Sequence, residues 1–250
     1  MIEWAMYLFL GAAMGTLGGV FGIGGGLIAI PALVLLFGMD QQLAQGTTLM
    51  MVVPNVILAL WRYHQRTRIL MRHAVPLAAA GFAFAGLGSI IAVGLDPAAM
   101  RTGFAMFMLV LAGYSYLQMY LRSQPPGADL RHPWPWLMAL GAGSGILGGF
   151  FGLGASVLAT PVLSTVFGAT QVDAQGLSLA LAVPSTGVTL ITYALHEHVD
   201  WHVGIPMAIG GLMSVTWGVR LAHTLPEKFL RTAFCVFLVL CAALMLRAPA

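Results

Sequence analysis

The sequence predicts an all-α, multi-pass transmembrane bundle built from two inverted-topology repeats. Three observations lead to this prediction. The chain is 59% hydrophobic and 8% charged, its second half repeats its first at a constant offset, and equivalent loops of the two halves differ in charge. A typical soluble domain has about 25% charged residues, and eight acids and eleven bases are too few to cover a soluble chain of 250 residues. We therefore expect lipid to be much of its solvent.

Apolar segments follow one another along the chain, five before and five after a polar, proline-rich linker at 122–133. A membrane-spanning helix needs about 20 residues. Two segments, 24–37 and 154–167, are short for this length and are expected to be half-helices or re-entrant pieces. The predicted segments are 4–22, 24–37, 43–61, 74–95, 98–121, 134–152, 154–167, 174–195, 203–222 and 229–246.

One offset of 130 residues relates the two halves. It aligns GTLGGVFGIGGGLIAIP, which ends at Pro31, with GILGGFFGLGASVLATP, which ends at Pro161. The same offset pairs Arg101 with Arg231 near the end of each half. This constant offset along the chain indicates an internal duplication. We assign an N-terminal repeat to 1–121, a cytoplasmic linker to 122–133 and a C-terminal inverted repeat to 134–250.

Loop charge indicates that the repeats are inverted. The loop RYHQRTRILMRH (62–73) has four arginines, whereas its equivalent HEHVDWH (196–202) has two acids and no Lys or Arg. Basic loops favour the cytoplasm, so these loops are expected on opposite sides of the membrane. This orientation places nine of the eleven bases inside and the N-terminus outside. Each repeat then crosses the membrane an odd number of times, five or three.

The glycine-rich stretches have two alternative explanations. Pairs such as Gly15 and Gly19 let helices pack closely. Alternatively, FGIGGG (21–26) and FGLGAS (151–156) break the helix, and a new short helix starts near Leu27 and runs towards Pro31. Broken helices are tolerated in membranes where they line a cavity. The N-terminus of the new helix would offer N–H groups and about half a positive charge to an anion.

The third segment of each half adds polar groups at matching positions, in QGTTLMMVVPN and QGLSLALAVPS. A hydroxyl in a membrane helix usually bonds to a carbonyl of its own helix, but the repetition of the pattern favours a role in the substrate path. The predicted substrate-binding residues are Gly24, Gly25, Gly26, Gln45, Thr47, Thr48, Asn55, Gly154, Ser156, Gln175, Ser178 and Ser185.

No Asp, Glu, Lys or Arg lies at the centre of an apolar segment. Helix dipoles, hydroxyls and amides suit a weakly hydrated anion better than a hard cation, which prefers carboxylates. An inside-negative potential drives a monoanion outward by about 2.3 kcal/mol per 100 mV. Export of a small monoanion would therefore need no coupling carboxylate.

Other reactive residues do not indicate an enzyme or a cofactor site. His196, His198 and His202 share one loop, but their spacing matches no strong metal-binding template. Cys235 and Cys241 form no CxxC motif. We attribute the isoelectric point near 9.1 to membrane orientation rather than to nucleic-acid binding. No cofactor, metal or nucleic-acid partner is expected.

The doubled glycine motif, the QGTTL and QGLSL segments, and the loop containing Val199, Asp200 and Trp201 resemble the TauE/SafE family of sulfite and organosulfonate exporters. This resemblance implies a multi-pass inner-membrane transporter of small sulfur-containing anions. The second repeat differs at Ala155 and Ser156, where the first has Gly25 and Gly26, so the two half-sites are expected to be unequal.

Two alternatives to a sulfur oxyanion exporter stay open at this point. One is a non-transporting membrane scaffold or accessory subunit in which the glycines serve packing only. The other is a transporter of a different small anion, such as a carboxylate or thiosulfate. The expected partners are a small anionic substrate and the lipid bilayer, and a homodimer is left open.

Overall fold

The computed structural model describes residues 2–21, 25–66, 71–121, 134–169, 171–222 and 227–247. Within these ranges the regular elements are α-helices and there is no β-strand, which confirms the all-α prediction. Each helix overlaps one of the predicted apolar segments. The helices are α1 (Ile2–Phe21), α2 (Gly26–Phe37), α3 (Gln41–Arg66), α4 (Met71–Val93), α5 (Pro97–Leu121), α6 (Trp134–Phe151), α7 (Ser156–Thr165), α8 (Gln171–Leu195), α9 (Trp201–Ala222) and α10 (Glu227–Arg247).

Several of these helices have the length and composition of membrane spans. Among the described residues, four helical stretches are long and apolar enough to cross a bilayer: Gln41–Gln65, Met71–Val93, Pro97–Leu117 and Asp173–Leu195. Helix α4 also shows the side-chain distribution expected in lipid. Its buried face is formed largely by Ala and Gly, whereas Val75, Phe82 and Ile90 are at least half exposed. The small residues allow close helix contact and the large ones face the surroundings.

The helices form two compact units whose composition does not follow the predicted repeat boundaries. Unit 1 comprises Met1–Met51, Leu95–Ser123 and Val199–Ala250, and unit 2 comprises Val52–Gly94 and Gln124–His198. Each unit therefore contains helices from both halves of the chain. The repeat boundaries at 1–121 and 134–250 stay a prediction from sequence.

Unit 1 is organised around the packing of α1 against α9. The two backbones approach so closely that a Cβ on Gly15 would lie 2.6 Å from Gly211 Cα. A Cβ on Gly11 would overlap the carbonyl group of Met207, and one on Gly218 would overlap that of Thr16. Such contacts require glycine, so the packing explanation is correct for this part of the motif.

Unit 2 contains the equivalent pair, α4 and α6. A Cβ on Gly145 would lie 2.6 Å from Gly81 O, and further overlaps occur between Gly141 and Leu77 and between Gly88 and Ile146. These are the unit 1 contacts shifted by 130 residues. The offset of 130 residues therefore relates these tertiary contacts as well, with one helix of each pair taken from each half of the chain.

Both glycine-rich stretches interrupt the helix, as the sequence predicts. Helix α1 ends at Phe21 and α2 begins at Gly26, while α6 ends at Phe151 and α7 begins at Ser156. Helix α2 runs through Pro31 and ends at Phe37, which is also the end of the predicted segment 24–37. Proline lacks the N–H that would bond four residues back, and the helix continues through this missing bond.

Candidate anion-binding regions

The start of α2 requires a glycine. Gly25 has φ +86° and ψ −16°, a left-handed conformation, and its carbonyl accepts hydrogen bonds from the N–H groups of Ile28 at 3.2 Å and Ala29 at 3.0 Å. A Cβ here would lie 3.0 Å from Met51 Cε and 3.1 Å from Met14 O. Gly25 and Gly26 are buried, and no side chain caps the helix. The positive end of the α2 dipole is therefore buried without a side-chain cap. Gly24 lies outside the described residues.

The start of α7 is built differently. Gly152 directly follows the last residue of α6 and has φ +65°. The N–H of Leu153 donates to Gly148 O at 3.1 Å, as in a Schellman motif. Gly154 follows with φ +78°. Ala155 at the N-cap has φ −67°, an ordinary right-handed value that any residue adopts, and no side chain caps this helix either. The left-handed glycine thus lies one position earlier, relative to the repeat, than Gly25.

Helix α3 places three predicted polar residues in the interior of unit 1. Gln45, Thr47 and Thr48 are all 0% exposed. The Thr47 hydroxyl accepts a hydrogen bond from the N–H of Asp200 at 2.9 Å, so it holds the start of α9. Thr48 differs, because its hydroxyl is buried and has no hydrogen-bond partner among the described residues.

Helix α8 repeats this arrangement in part within unit 2. Ser178, equivalent to Thr48, is 0% exposed, and its hydroxyl likewise has no partner among the described residues. Leu177, which replaces Thr47, packs in an apolar cluster with Ala155 and Leu181. The Ser185 hydroxyl donates to Leu181 O at 2.9 Å, so its proton is used inside its own helix.

The other predicted residues of unit 2 have mixed environments. Asn55 is 3% exposed, and neither its amide nitrogen nor its amide oxygen has a partner among the described residues. Gln175 and Ser156 are partly exposed. The carbonyl of Ser156 accepts a hydrogen bond from the Thr160 hydroxyl at 2.9 Å. Asn55 is therefore the most buried amide of this group.

The unpartnered hydroxyls have a physical consequence. A buried polar group without a hydrogen bond costs about 1–3 kcal/mol of stability, and such groups in folded proteins call for an explanation. Here they recur at equivalent positions, Thr48 and Ser178, each in the same unit as an uncapped half-helix. No Asp, Glu, Lys or Arg side chain is buried in the part of the chain that the structure describes. Each unit therefore contains a neutral hydroxyl donor that is unsatisfied among the described residues.

The loop before α9 has a structural function that sequence reasoning missed. The Asp200 carboxylate accepts hydrogen bonds from the N–H groups of His202 at 2.9 Å and Val203 at 3.2 Å, and so caps α9. Trp4 Nε1 donates to His202 Nε2 at 2.8 Å. Across the described residues no three His, Cys, Asp or Glu side chains form a metal-binding group. The available signal was an Asp directly before the apolar-rich segment that starts at Trp201, since Asp is a favoured N-cap residue.

Comparison with known proteins now bears on this arrangement. A family model described as "Sulfite exporter TauE/SafE" matches residues 7–245. The chain belongs to the TauE/SafE family. It is 31% identical over 223 residues to a protein of Xylella fastidiosa named "Probable membrane transporter protein", covering 86% of this chain and 82% of that protein.

More distant relatives carry similar names. A probable membrane transporter protein of Methanocaldococcus jannaschii is 26% identical over 243 residues, covering 90% of this chain and 89% of its own length. One of Bacillus subtilis is 18% identical over 265 residues, covering 96% of each chain. This TauE/SafE member is therefore a multi-pass membrane transporter and not an enzyme. The scaffold alternative has no support from these relatives.

Proposed function

We propose that this transporter exports small sulfur-containing oxyanions, such as sulfite or an organosulfonate, across the inner membrane. The observation that carries the proposal is the pair of equivalent, fully buried hydroxyls of Thr48 and Ser178, neither of which has a partner among the described residues. Sulfonate and sulfite oxygens are hydrogen-bond acceptors, so an arriving oxyanion would satisfy each hydroxyl in turn. The family description supports the sulfur chemistry.

The uncapped starts of α2 and α7 support an anion rather than a cation. Gly25 and Gly26 are buried at the positive end of a 12-residue helix, and Gly154 precedes a 10-residue helix. Helix N-termini favour negative charge through their free N–H groups and dipole. In this proposal each helix start acts together with the hydroxyl of its own unit, while Gln45, Gln175 and Asn55 supply further amide contacts.

Neutral donors also favour a single negative charge. Transfer of an ion from water into a low-dielectric interior carries a large penalty, and in the Born description this penalty grows with the square of the charge. Without a buried cation among the described residues to offset it, a monoanion is favoured over a dianion. The membrane potential then moves that monoanion outward by about 2.3 kcal/mol per 100 mV.

Inverted topology is part of the proposal, and it is supported by the loop charges and the repeated glycine contacts. The α1–α9 contacts of unit 1 recur as the α6–α4 contacts of unit 2 at the same offset. In transporters built from inverted repeats, interrupted helices in corresponding positions mark the substrate site. We infer that the α1–α2 and α6–α7 interruptions have this function.

Flux through the purified protein tests the proposal. Liposomes containing the protein would be loaded with sulfite or methanesulfonate, and efflux would be followed under potentials of both signs, with protein-free liposomes as the control. We expect efflux that rises when the loaded compartment is negative. Transport of acetate or thiosulfate, but of neither sulfite nor methanesulfonate, would favour a transporter of a different small anion. No flux of any of these four anions under either potential would refute the proposal.

A further inference from the structure

A polar stripe on α3 extends beyond the residues assigned so far. Gln41, Gln45 and Thr48 are spaced i, i+4 and i+7, which places them on one face of the helix, and each is at most 2% exposed. The sequence repeats the spacing on α8, where Gln171, Gln175 and Ser178 follow at the same offset. The stripe therefore begins one turn earlier than the QG motif, at Gln41.

Gln41 is an unusual residue to bury. It is 2% exposed, and neither its amide nitrogen nor its amide oxygen has a hydrogen-bond partner among the described residues. The adjacent Gln42 shows the ordinary structural role of such a side chain, because its Nε2 donates to Leu95 O at 2.7 Å and joins α3 to the segment before α5. Packing alone does not explain Gln41, since an apolar side chain of similar size would fill the same space without unsatisfied polar atoms.

The amide of Gln41 has a binding preference that differs from that of Thr48. Its Nε2 donates two hydrogens, whereas its Oε1 only accepts. A simple oxyanion offers acceptors and leaves Oε1 unsatisfied. A solute that also carries a hydroxyl group would satisfy both ends of the amide. An ammonium group is less suitable, because no acid is buried among the described residues to balance its charge.

We propose that Gln41 is a further substrate-binding residue and that it selects sulfonates carrying a hydroxyl group. Its Nε2 donates to a sulfonate oxygen, and its Oε1 accepts from the hydroxyl. This inference rests on the proposed export of sulfur oxyanions. Gln41 begins α3 and lies two helical turns, about 10 Å, from Thr48, so it is a separate binding position along the same helix face. Because the side chain is buried in this conformation, it meets the solute when the protein opens.

Two matched sulfonates test the selection. 2-Hydroxyethanesulfonate and propane-1-sulfonate have the same number of heavy atoms outside the sulfonate group and one negative charge each, and they differ in a hydroxyl against a methyl group. Wild-type protein in liposomes is expected to move the hydroxylated sulfonate about threefold to tenfold faster, the value of one net hydrogen bond. In Gln41→Met this preference is expected to disappear, because Met keeps the side-chain length and removes both polar atoms.

Two further measurements keep the test decisive. Gln65→Met, on an exposed position of the same helix, is the matched control and is expected to keep the wild-type preference. The melting temperature of Gln41→Met is expected to equal or exceed that of the wild type, because unsatisfied buried atoms are removed. A folded Gln41→Met that retains the preference would overturn the inference. Wild-type protein that transports neither sulfonate nor sulfite would instead refute the proposed function.

Discussion

The starts of α2 and α7 are equivalent in the duplicated sequence but differ in construction. At α2, Gly25 adopts a left-handed conformation against Met51 and Met14, and Thr47 and Thr48 are both buried on α3. At α7, the N-cap is a right-handed Ala155 packed in an apolar cluster with Leu177. The two regions therefore differ in the backbone conformation of the N-cap residue and in one hydroxyl, that of Thr47, which Leu177 replaces.

Two features are common to both regions. Both half-helices are free of a side-chain cap, and both units retain one buried hydroxyl without a partner among the described residues, Thr48 in one and Ser178 in the other. Thr47 and its equivalent Leu177 differ, and each has a structural contact: the Thr47 hydroxyl accepts a hydrogen bond from the Asp200 N–H, and Leu177 packs in an apolar cluster. Divergence has therefore altered the supporting contacts and kept the donors.

The largest expected effect comes from removing the shared hydroxyls. Thr48→Val and Ser178→Ala are each expected to reduce oxyanion efflux in liposomes about tenfold or more, because a hydrogen bond to a charged group contributes about 1.5–3 kcal/mol. The melting temperature should stay the same or rise, since each hydroxyl has no partner among the described residues.

Thr189→Val is the matched control for this pair. Thr189 is equally buried on α8, but its hydroxyl donates to Ser185 O at 2.7 Å within its own helix. Efflux should be unchanged in this variant. If Thr48→Val alone reduced efflux and Ser178→Ala did not, the two regions would not be functionally equivalent.

A smaller effect should distinguish the two helix starts by stability. Gly25→Ala forces a Cβ into a left-handed conformation and within 3.0 Å of Met51 Cε, and is expected to lower the free energy of unfolding by about 1–2 kcal/mol. The reverse change at the equivalent position, Ala155→Gly, introduces no left-handed strain. It increases backbone freedom and removes a methyl group from the apolar cluster with Leu177, and should lower the free energy of unfolding by about 1–1.5 kcal/mol. Denaturant titration in detergent measures both. A Gly25→Ala variant as stable as the wild type would show that the left-handed glycine is not what separates the two regions.

The smallest effect concerns Thr47 on α3, which Leu177 replaces at the equivalent position of α8. Thr47→Val removes the acceptor for the Asp200 N–H and should lower the unfolding free energy by about 1 kcal/mol. Because this hydroxyl holds the start of α9, the ratio of sulfite to methanesulfonate efflux should not change. A shift in that ratio would instead assign Thr47 to the substrate path, as the sequence pattern alone suggested.

The sequence predicted the helical fold and both interruptions because composition and glycine runs report directly on lipid exposure and helix breaking. The pattern also singled out Thr48 and Ser178, whose role in binding stays a prediction. It did not distinguish these residues from Ser185, whose hydroxyl bonds to Leu181 O, because back-bonding depends on side-chain rotamers rather than on spacing. Gln41 was missed since the first residue of a helix usually faces solvent, and its burial depends on tertiary packing.

The composition of the units could not be read from the chain either. Segment lengths and loop charges describe neighbours in sequence, whereas α1 packs against α9 and α4 against α6. The relevant signal was the distribution of glycines, since Gly11 and Gly15 share one face of α1, and Gly211 and Gly218 share one face of α9. Spacing shows that a helix has a small-residue face, but it does not identify the helix that covers that face.

The pairing of α1 with α9 has a consequence for how the protein is made. Helix α1 is synthesised well before α9, the helix that covers its glycine face, because α2 to α8 lie between them in the chain. Until then this face must be shielded by lipid or by the insertion machinery. A chain severed in the segment 122–133 would yield two fragments, neither of which contains a complete α1–α9 or α4–α6 pair, so assembly would depend on both being present in the same membrane.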